Sequence, residues 1–402
     1  MKEKRVLIVG GGDALFHLLD RANRLGVATV VVQKRELVKD ELFQMAGHVL
    51  VMDYEKDPLL EPIAQAIHRT QPLDRVISLT EYGLMPAARL SRALGLPALS
   101  PEVVERTRDK HAMRQALSAA GFDVVKAALG RSVEDLVRFR EKVGSKFIIK
   151  PRDGVGSQQV ACVEEKTNLA DTVAMFAGDF LMEEYLEGRE LSVESFSFNG
   201  KHFVFGINEE TKYFESSANP YVEIAHEMPA LLSESERAGV VKFAGEFLDC
   251  IGISDGPAHT ELKLTPQGPR IIETHNRLAG DWLPVLVRLS SGVDLYELAV
   301  GWPCGLIEPP IQAAAPFGGA AIRYFTPQPG VVSKVSGVEY ARIEPGVVAL
   351  HLPLRPGSVV RPVRKSLDRS GYVIATAPTA KEAARICQRV IDMVGIETQQ
   401  VT

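Results

Sequence analysis

The side chains between residues 259 and 277 are the densest group able to do chemistry. Glu261, Glu273, Asn276 and Arg277 fall in and just after two strand-like runs, His259–Leu264 and Arg270–Thr274, joined by Thr265-Pro266-Gln267-Gly268-Pro269. A loop so rich in turn formers reads as the bend of a hairpin. If the hairpin is symmetric about Gln267, Glu261 faces Glu273, and opposed carboxylates repel unless a cation or proton intervenes. Hard divalent ions, bridging carboxylates to nucleotide phosphates, meet that need. Asn276 adds a neutral oxygen donor, and Arg277 a fixed fork of N–H groups suited to a phosphate or an oxyanion. Two acids alone would more often be a solvated hairpin face; four ligand-like groups together favour the metal.

Two further stretches could serve a phosphate ligand. Phe147-Ile148-Ile149-Lys150 is a buried strand ending in lysine that runs into Pro151-Arg152-Asp153-Gly154-Val155-Gly156-Ser157. Backbone amides of such a loop can approach phosphates closely, with Lys150 as a point charge. It is not a Walker loop, since no Gly-Lys-Ser/Thr follows and the next segment reads as a strand; a plain hairpin with a surface loop is the alternative. In Phe180–Glu194 an apolar strand is interrupted by acids and Gly188 and then resumes. The break exposes backbone groups able to read an adenine edge, or is simply a connecting turn.

The elements that position these residues change character along the chain. Up to residue 95, strand-like runs at Arg5–Val9, Ala28–Gln33, His48–Asp53 and Arg75–Thr80 alternate with helical stretches at Leu15–Leu25, Leu59–Arg69 and Leu84–Leu94. That rhythm predicts a parallel sheet with crossover helices. The turn Val9-Gly10-Gly11-Gly12-Asp13 invites a dinucleotide reading, but Leu15 replaces the third glycine and the second strand ends in Gln33-Lys34-Arg35, without a ribose-gripping acid. A linker helix is predicted over Glu102–Ala120, then strands at Phe147–Lys150, Gln159–Glu164, Phe180–Glu184 and Leu191–Phe198. Further helices are predicted at Glu234–Cys250, Val285–Gly301 and Thr379–Val394. Domains are expected at 1–100, 127–187, 188–317 and 318–402, with the linker at 101–126.

Composition bounds the partners. A net charge of −5 argues against a polyanion such as nucleic acid as the main partner. Met1–Gly12 lacks the pattern of a secretory signal, and no apolar run approaches ~18 residues. The expectation is a cytoplasmic protein without nucleic acid or membrane as partner. The four cysteines, Cys162, Cys250, Cys304 and Cys387, form no C-x-x-C pair, which disfavours a zinc site or a disulfide framework.

In this order and spacing the three stretches resemble the nucleotide- and metal-binding motifs of ATP-grasp carboxylate–amine ligases, and Arg108-Asp109-Lys110 resembles that family's entry helix. The resemblance spans essentially the whole chain. It implies α/β and α+β multidomain architecture: an N-terminal Rossmann-like parallel sheet, a central ATP-grasp fold of two α+β subdomains and a C-terminal α+β lobe. It further implies that Lys110 and Lys150 contact phosphates and that the loop of Gly154, Gly156 and Ser157 closes over them. The backbone at Glu184 and Leu186 would read adenine, Glu190 would hold ribose, and Glu261, Glu273 and Asn276 would bind two Mg²⁺ ions, with Mn²⁺ as a substitute. Lys150 and Arg277 would be the catalytic cations.

Within the superfamily the chain looks most like the L-amino-acid ligases, because Gly95-Leu96-Pro97-Ala98-Leu99-Ser100-Pro101 runs into Arg108-Asp109-Lys110 as it does there. That likeness implies ADP-forming synthesis of an amide between small-molecule carboxylate and amine substrates through an acyl-phosphate. Glu81 and His226 would help hold substrate, in a pocket drawn from Ser78–Leu84, Tyr213–His226 and Leu278–Leu283, the last including Gly280. The segment Gly121-Phe122-Asp123-Val124-Val125 departs from relatives, which usually carry a proline there. An ATP-grasp carboxylase, a formate-dependent transformylase and a nucleotide-binding regulatory protein without turnover are the rival readings, and a homodimer is expected.

Overall fold

The computed structural model describes residues 3–12, 14–122, 125–154, 156–213 and 219–399. Asp13, Asp123 and Val124, Val155, and part of the expected pocket segment 213–226 lie outside the described residues. Strands Lys4–Val9 (β1), Val27–Gln33 (β2), His48–Val51 (β3) and Arg75–Ile77 (β4) form a parallel sheet in the order β3-β2-β1-β4. Val6 to Val9 are all fully buried, as crossover helices on both faces require. In the glycine turn after β1, Gly10 is packed against protein. Gly10 has φ +67°, and a Cβ there would stand 2.8 Å from the Tyr54 ring and from Thr80.

The linker is two helices, not one: Pro101–Arg108 and Lys110–Ala119. Asp109 is extended between them, and its carboxylate caps the second helix by accepting from the His111 and Ala112 amides. Beyond it, Ala127–Gly130 (β5), Phe147–Pro151 (β6), Ala161–Val163 (β7) and Phe180–Glu184 (β8) make an antiparallel sheet, β5-β8-β6-β7, over a core that includes Phe139, Phe147 and Phe180. The strand expected over Gln159–Glu164 is shorter because Gln159, at φ +55°, is left-handed.

The remaining strands are Arg189–Phe198 (β9), Lys201–Lys212 (β10), Glu223–Met228 (β11), Gly256–Thr265 (β12), Gly268–His275 (β13), Gly319–Tyr324 (β14), Gly330–Ser336 (β15), Val347–His351 (β16), Val359–Val360 (β17), Tyr372–Ala377 (β18) and Gly395–Gln399 (β19). Eight of them form one antiparallel sheet, β13-β12-β9-β10-β11-β14-β18-β16, and three form a small one, β17-β15-β19. The large sheet thus runs through residue 318, because β14 pairs with β11. The helix expected over Val285–Gly301 is also two, Leu283–Ser291 and Leu295–Gly301: Gly292 closes the first in a left-handed turn and Asp294 caps the second. One buried cluster joins β1 and β2 of the first sheet to these helices and to Phe196, Ile322 and Ile374 of the large sheet. Among the described residues no helix is long and apolar enough to cross a membrane.

Candidate active site

Strand alternation builds the centre of the site on the β12–β13 hairpin. His259 faces His275 and Glu261 faces Glu273; a bulge at Ile272 then shifts the register, so Leu262 faces Ile271. The bulge reconciles a tight Pro266-Gln267 turn with the expected Glu261–Glu273 pairing. Glu273 and His275 share one face of β13 by the two-residue period. His275 accordingly places Nε2 3.1 Å from Glu273 Oε1 and Nδ1 2.8 Å from Glu81 Oε2. Next door, His259 places Nε2 3.3 Å from Glu261 Oε1 and Nδ1 2.8 Å from Glu194 of β9, and the two imidazoles lie nearly parallel, 6.1 Å apart.

Cations from other elements complete this row. Lys110, at the start of its helix, lies 2.8 Å from Glu273 Oε2 and donates to the Gly154 carbonyl at 3.2 Å. Arg277 donates through Nε to Glu81 at 3.2 Å and through a terminal nitrogen to the Leu278 carbonyl. Glu81 opens the helix Glu81–Leu94, where the helix dipole favours an anion. Burial works to raise its pKa, but the hydrogen bond and charge of His275 and the charge of Arg277 hold it at about 2. Glu273 is likewise held well below the usual carboxylate range, against burial, chiefly by Lys110 and His275. Lys110 is raised in turn, against its own burial, by Glu273, Glu261 and Glu81.

Lys150, next to last in β6, pairs with Glu183 of β8 at 2.7 Å; Arg114 holds the other oxygen at 2.6 Å and donates to the Ile271 carbonyl at 2.7 Å, tying the small sheet to β13. Arg114 and Lys150 hold buried Glu183 at about 2 despite desolvation. The loop residues Gly154, Gly156 and Ser157 have φ of +115°, +72° and +55°. Ser157 donates its hydroxyl to Glu223 at 3.1 Å, and its carbonyl accepts from Asn219.

Other expected residues are placed differently. Asn276 points away from the acidic row and accepts from the Thr107 hydroxyl at 2.9 Å; the structure brings His275, not Asn276, beside Glu273. The Glu184 amide already donates to the Lys126 carbonyl, and Leu186 lies in the short link to β9. Gly188 keeps that link close to β12, since a Cβ there would stand 2.4 Å from the Leu264 carbonyl oxygen. Glu190 sits between Lys212, at 2.8 Å, and Lys263, at 2.7 Å, which hold it at about 2 against burial. Lys212 also pairs with Glu223 and, at 3.2 Å, with Glu210. The oxygens of Glu190, Glu210 and Glu223 fall within 4.8 Å of one another. Burial pushes Glu210 well above the carboxylate range against the pull of Lys212.

His226 is buried between Asn208, at 3.0 Å, and Asp281, at 3.2 Å. Asp281 in turn grips Arg369 through two bonds of 2.7 and 2.6 Å, and Arg369 lies 3.6 Å over the Tyr324 ring. Asp281 and Trp282 both have positive φ, +53° and +62°, directly after exposed Gly280. Strain of this kind collects at ligand sites. Lys212, Arg369, Glu183 and Glu194 were not singled out from the sequence. The period-two pattern on β13 was the signal that could have found His275.

The chain's segments match three family models: the ATP-grasp N-terminal domain over residues 19–98, the ATP-grasp domain over 143–285 and the L-amino acid ligase C-terminal domain 2 over 323–399. An uncharacterised protein of Sinorhizobium fredii is 28% identical over 79% of this chain and 67% of its own length. Alanine–anticapsin ligase of Bacillus subtilis is 24% identical over 58% of this chain and 54% of the ligase, so the match spans about half of that enzyme. The crystal structure of L-amino acid ligase from Bacillus licheniformis superposes with a TM-score of 0.85 at 22% identity, covering all of both chains. That likeness shows a shared fold.

Proposed function

We propose that this chain, whose segments match the ATP-grasp N-terminal domain and the ATP-grasp domain, is an ATP-dependent ligase joining the carboxylate of an amino acid, or a related small acid, to the amine of another. The observation that carries the reading is the face on which Glu261 and Glu273 oppose each other beside Lys110 and Arg277. Acids and cations interleaved on a rigid sheet complement a polyphosphate with its metal. The L-amino acid ligase C-terminal domain supports an amino acid as substrate.

A carboxylate resists attack by an amine because its oxygen is a poor leaving group. Transfer of the ATP γ-phosphoryl to that oxygen breaks the terminal phosphoanhydride bond and releases ADP. The amine then attacks the acyl carbon, loses a proton, and phosphate departs with the former carboxylate oxygen. In this reading Lys110 and Lys150 exchange Glu273 and Glu183 for phosphate oxygens, and Arg277, held by Glu81, turns its remaining N–H groups to the phosphoryl group or the tetrahedral oxyanion. Glu261 and Glu273 would hold the divalent ions, two Mg²⁺ or Mn²⁺, which when bound would supply neutralisation of the phosphate charge.

The loop of Gly154, Gly156 and Ser157 excludes water from the anhydride. The backbone at Glu184 and Leu186 reads adenine, and Glu190 takes the ribose hydroxyls. Glu81, His226 and Gly280 line the substrate pocket. The same proposal has the protein acting in the cytoplasm as a homodimer, its partner covering the exposed Leu37, Phe43 and Val51 beside edge strand β3.

The test is ADP and phosphate release from ATP across pairs of amino acids, with bicarbonate and formate wells and Glu273→Ala as control. Release is expected to need two amino acids and to fall at least about 100-fold in the variant. Release with bicarbonate or formate alone would transfer the protein to the carboxylases or transformylases, and nucleotide binding without any ADP would leave a regulatory protein.

A further inference from the structure

We infer that His275 is itself a metal ligand, so that the cation on the β12–β13 hairpin is bound through mixed imidazole and carboxylate donors and the site favours Mn²⁺ or Co²⁺ over Mg²⁺. The inference rests on the ligase reading only for the presence of a divalent ion beside Glu273.

Three observations carry it. Asn276, the neutral oxygen donor expected for this site, lies on the other side of the strand and is committed to Thr107. His275 takes its place on the metal-facing side, with Nδ1 fixed 2.8 Å from the buried carboxylate of Glu81. Without a metal the protonated ring bridges the two carboxylates; a cation that displaces the Nε2 proton leaves Nδ1–H donating to Glu81 and the Nε2 lone pair on the side of Glu273 Oε1, 3.1 Å away. Two acceptors then face each other at the separation of neighbouring ligands on one ion: donors about 2.1 to 2.2 Å from a metal, at right angles, stand about 3 Å apart. A carboxylate behind the distal nitrogen is the usual way a metal-binding imidazole is oriented.

The neighbouring unit repeats the arrangement, with Glu194 behind His259 and its Nε2 3.3 Å from Glu261. Glu273 Oε2 is held by Lys110 until a phosphate draws the lysine away. Mg²⁺ binds oxygen almost exclusively, whereas first-row transition ions take imidazole readily. The carboxylates of Glu190, Glu210 and Glu223 are closer to one another, but the ammonium of Lys212 already stands among them.

The experiment is pulsed EPR of Mn²⁺ bound to the full chain with a non-hydrolysable ATP analogue, paired with Mg²⁺ competition. Directly bound ¹⁴N is expected in the parent and lost in both His275→Asn and His275→Gln. The variants should still bind Mn²⁺, about tenfold or more weaker, and release it to less Mg²⁺. Asparagine can place its amide nitrogen where Nδ1 stands and keep the hydrogen bond to Glu81, whereas glutamine reaches the Nε2 position, so agreement between the two variants separates ligation from folding. Mn²⁺ bound without a ¹⁴N signal, a signal that survives both substitutions, or no Mn²⁺ bound would each overturn the inference. ADP release with paired amino acids would leave the ligase reading standing in those cases. The ¹⁴N signal in a protein without turnover would sink that reading and keep the histidine ligand.

Discussion

On β9, Glu190 and Glu194 stand on the same face and belong to two different charge clusters. Glu190 joins Glu210 and Glu223 around Lys212, with Lys263 beside it. Glu194 stands behind His259 in the row that reaches Glu261, Glu273, His275 and Glu81. Both clusters are acidic, largely shielded from solvent and centred on the same sheet. They differ in where the compensating charge comes from. Lys212 is a fixed member of β10, raised well above the usual lysine value, against burial, by three carboxylates at once. The hairpin row is balanced by Lys110 from a helix and by Arg277 from the irregular chain after β13; both also hold backbone carbonyls, so an arriving phosphate and metal can take them over. An acidic cluster with a built-in counter-ion is closed to a further cation, and one with borrowed counter-ions is open to one.

The sharpest way to break that comparison is Lys212→Met. Removing the one cation common to three buried acids leaves them facing one another, and a loss of about 3 to 5 kcal/mol of stability is expected in urea unfolding. A variant as stable as the parent that takes up Mn²⁺ at Glu190, Glu210 and Glu223 would show that this cluster, too, is open to an external cation.

A second effect reaches both clusters, and Glu183 between Arg114 and Lys150 beside them, and appears on acidification. Glu81, Glu183 and Glu190 are each depressed from 4.5 to about 2 in the fold. The ion pairs that depress them contribute fully above the unfolded value near 4.5 and are lost as pH falls through about 2. Each such carboxylate accounts for roughly 3 kcal/mol over that window. Unfolding midpoints should therefore drop steeply between pH 4.5 and 2. A flat profile there would mean that the three acids are not paired in solution as they are in the structure.

The hairpin row was largely legible in the sequence because its information is local: a turn-rich loop fixes which residues oppose, and alternation fixes which share a face. Reading Asn276 as a ligand broke that same rule, since it stands three residues from Glu273, an odd number on a strand. The Lys212 cluster was not legible. Its members sit on β9, β10 and β11, and only the sheet order makes them neighbours. Arg369 reaches Asp281 across 88 residues from the C-terminal lobe, whose β14 and β18 continue the large sheet. Both helix breaks had local signs, an Asp at 109 and a Gly-Val-Asp at 292–294, outweighed by the helix formers around them.

The smallest effect expected separates adjacent residues of the hairpin. Asn276→Ala removes one hydrogen bond with Thr107, costing about 1 kcal/mol of stability. It touches none of the groups that face Glu273, so nucleotide-dependent turnover and Mn²⁺ affinity should stay within about twofold of the parent. The site would then discriminate between neighbouring positions by the strand's alternation alone. A loss of Mn²⁺ affinity in Asn276→Ala comparable to that in His275→Gln would mean that the chain end of β13 rotates when ligand binds, bringing the amide over to the acidic side and making the open cluster a conformationally assembled one.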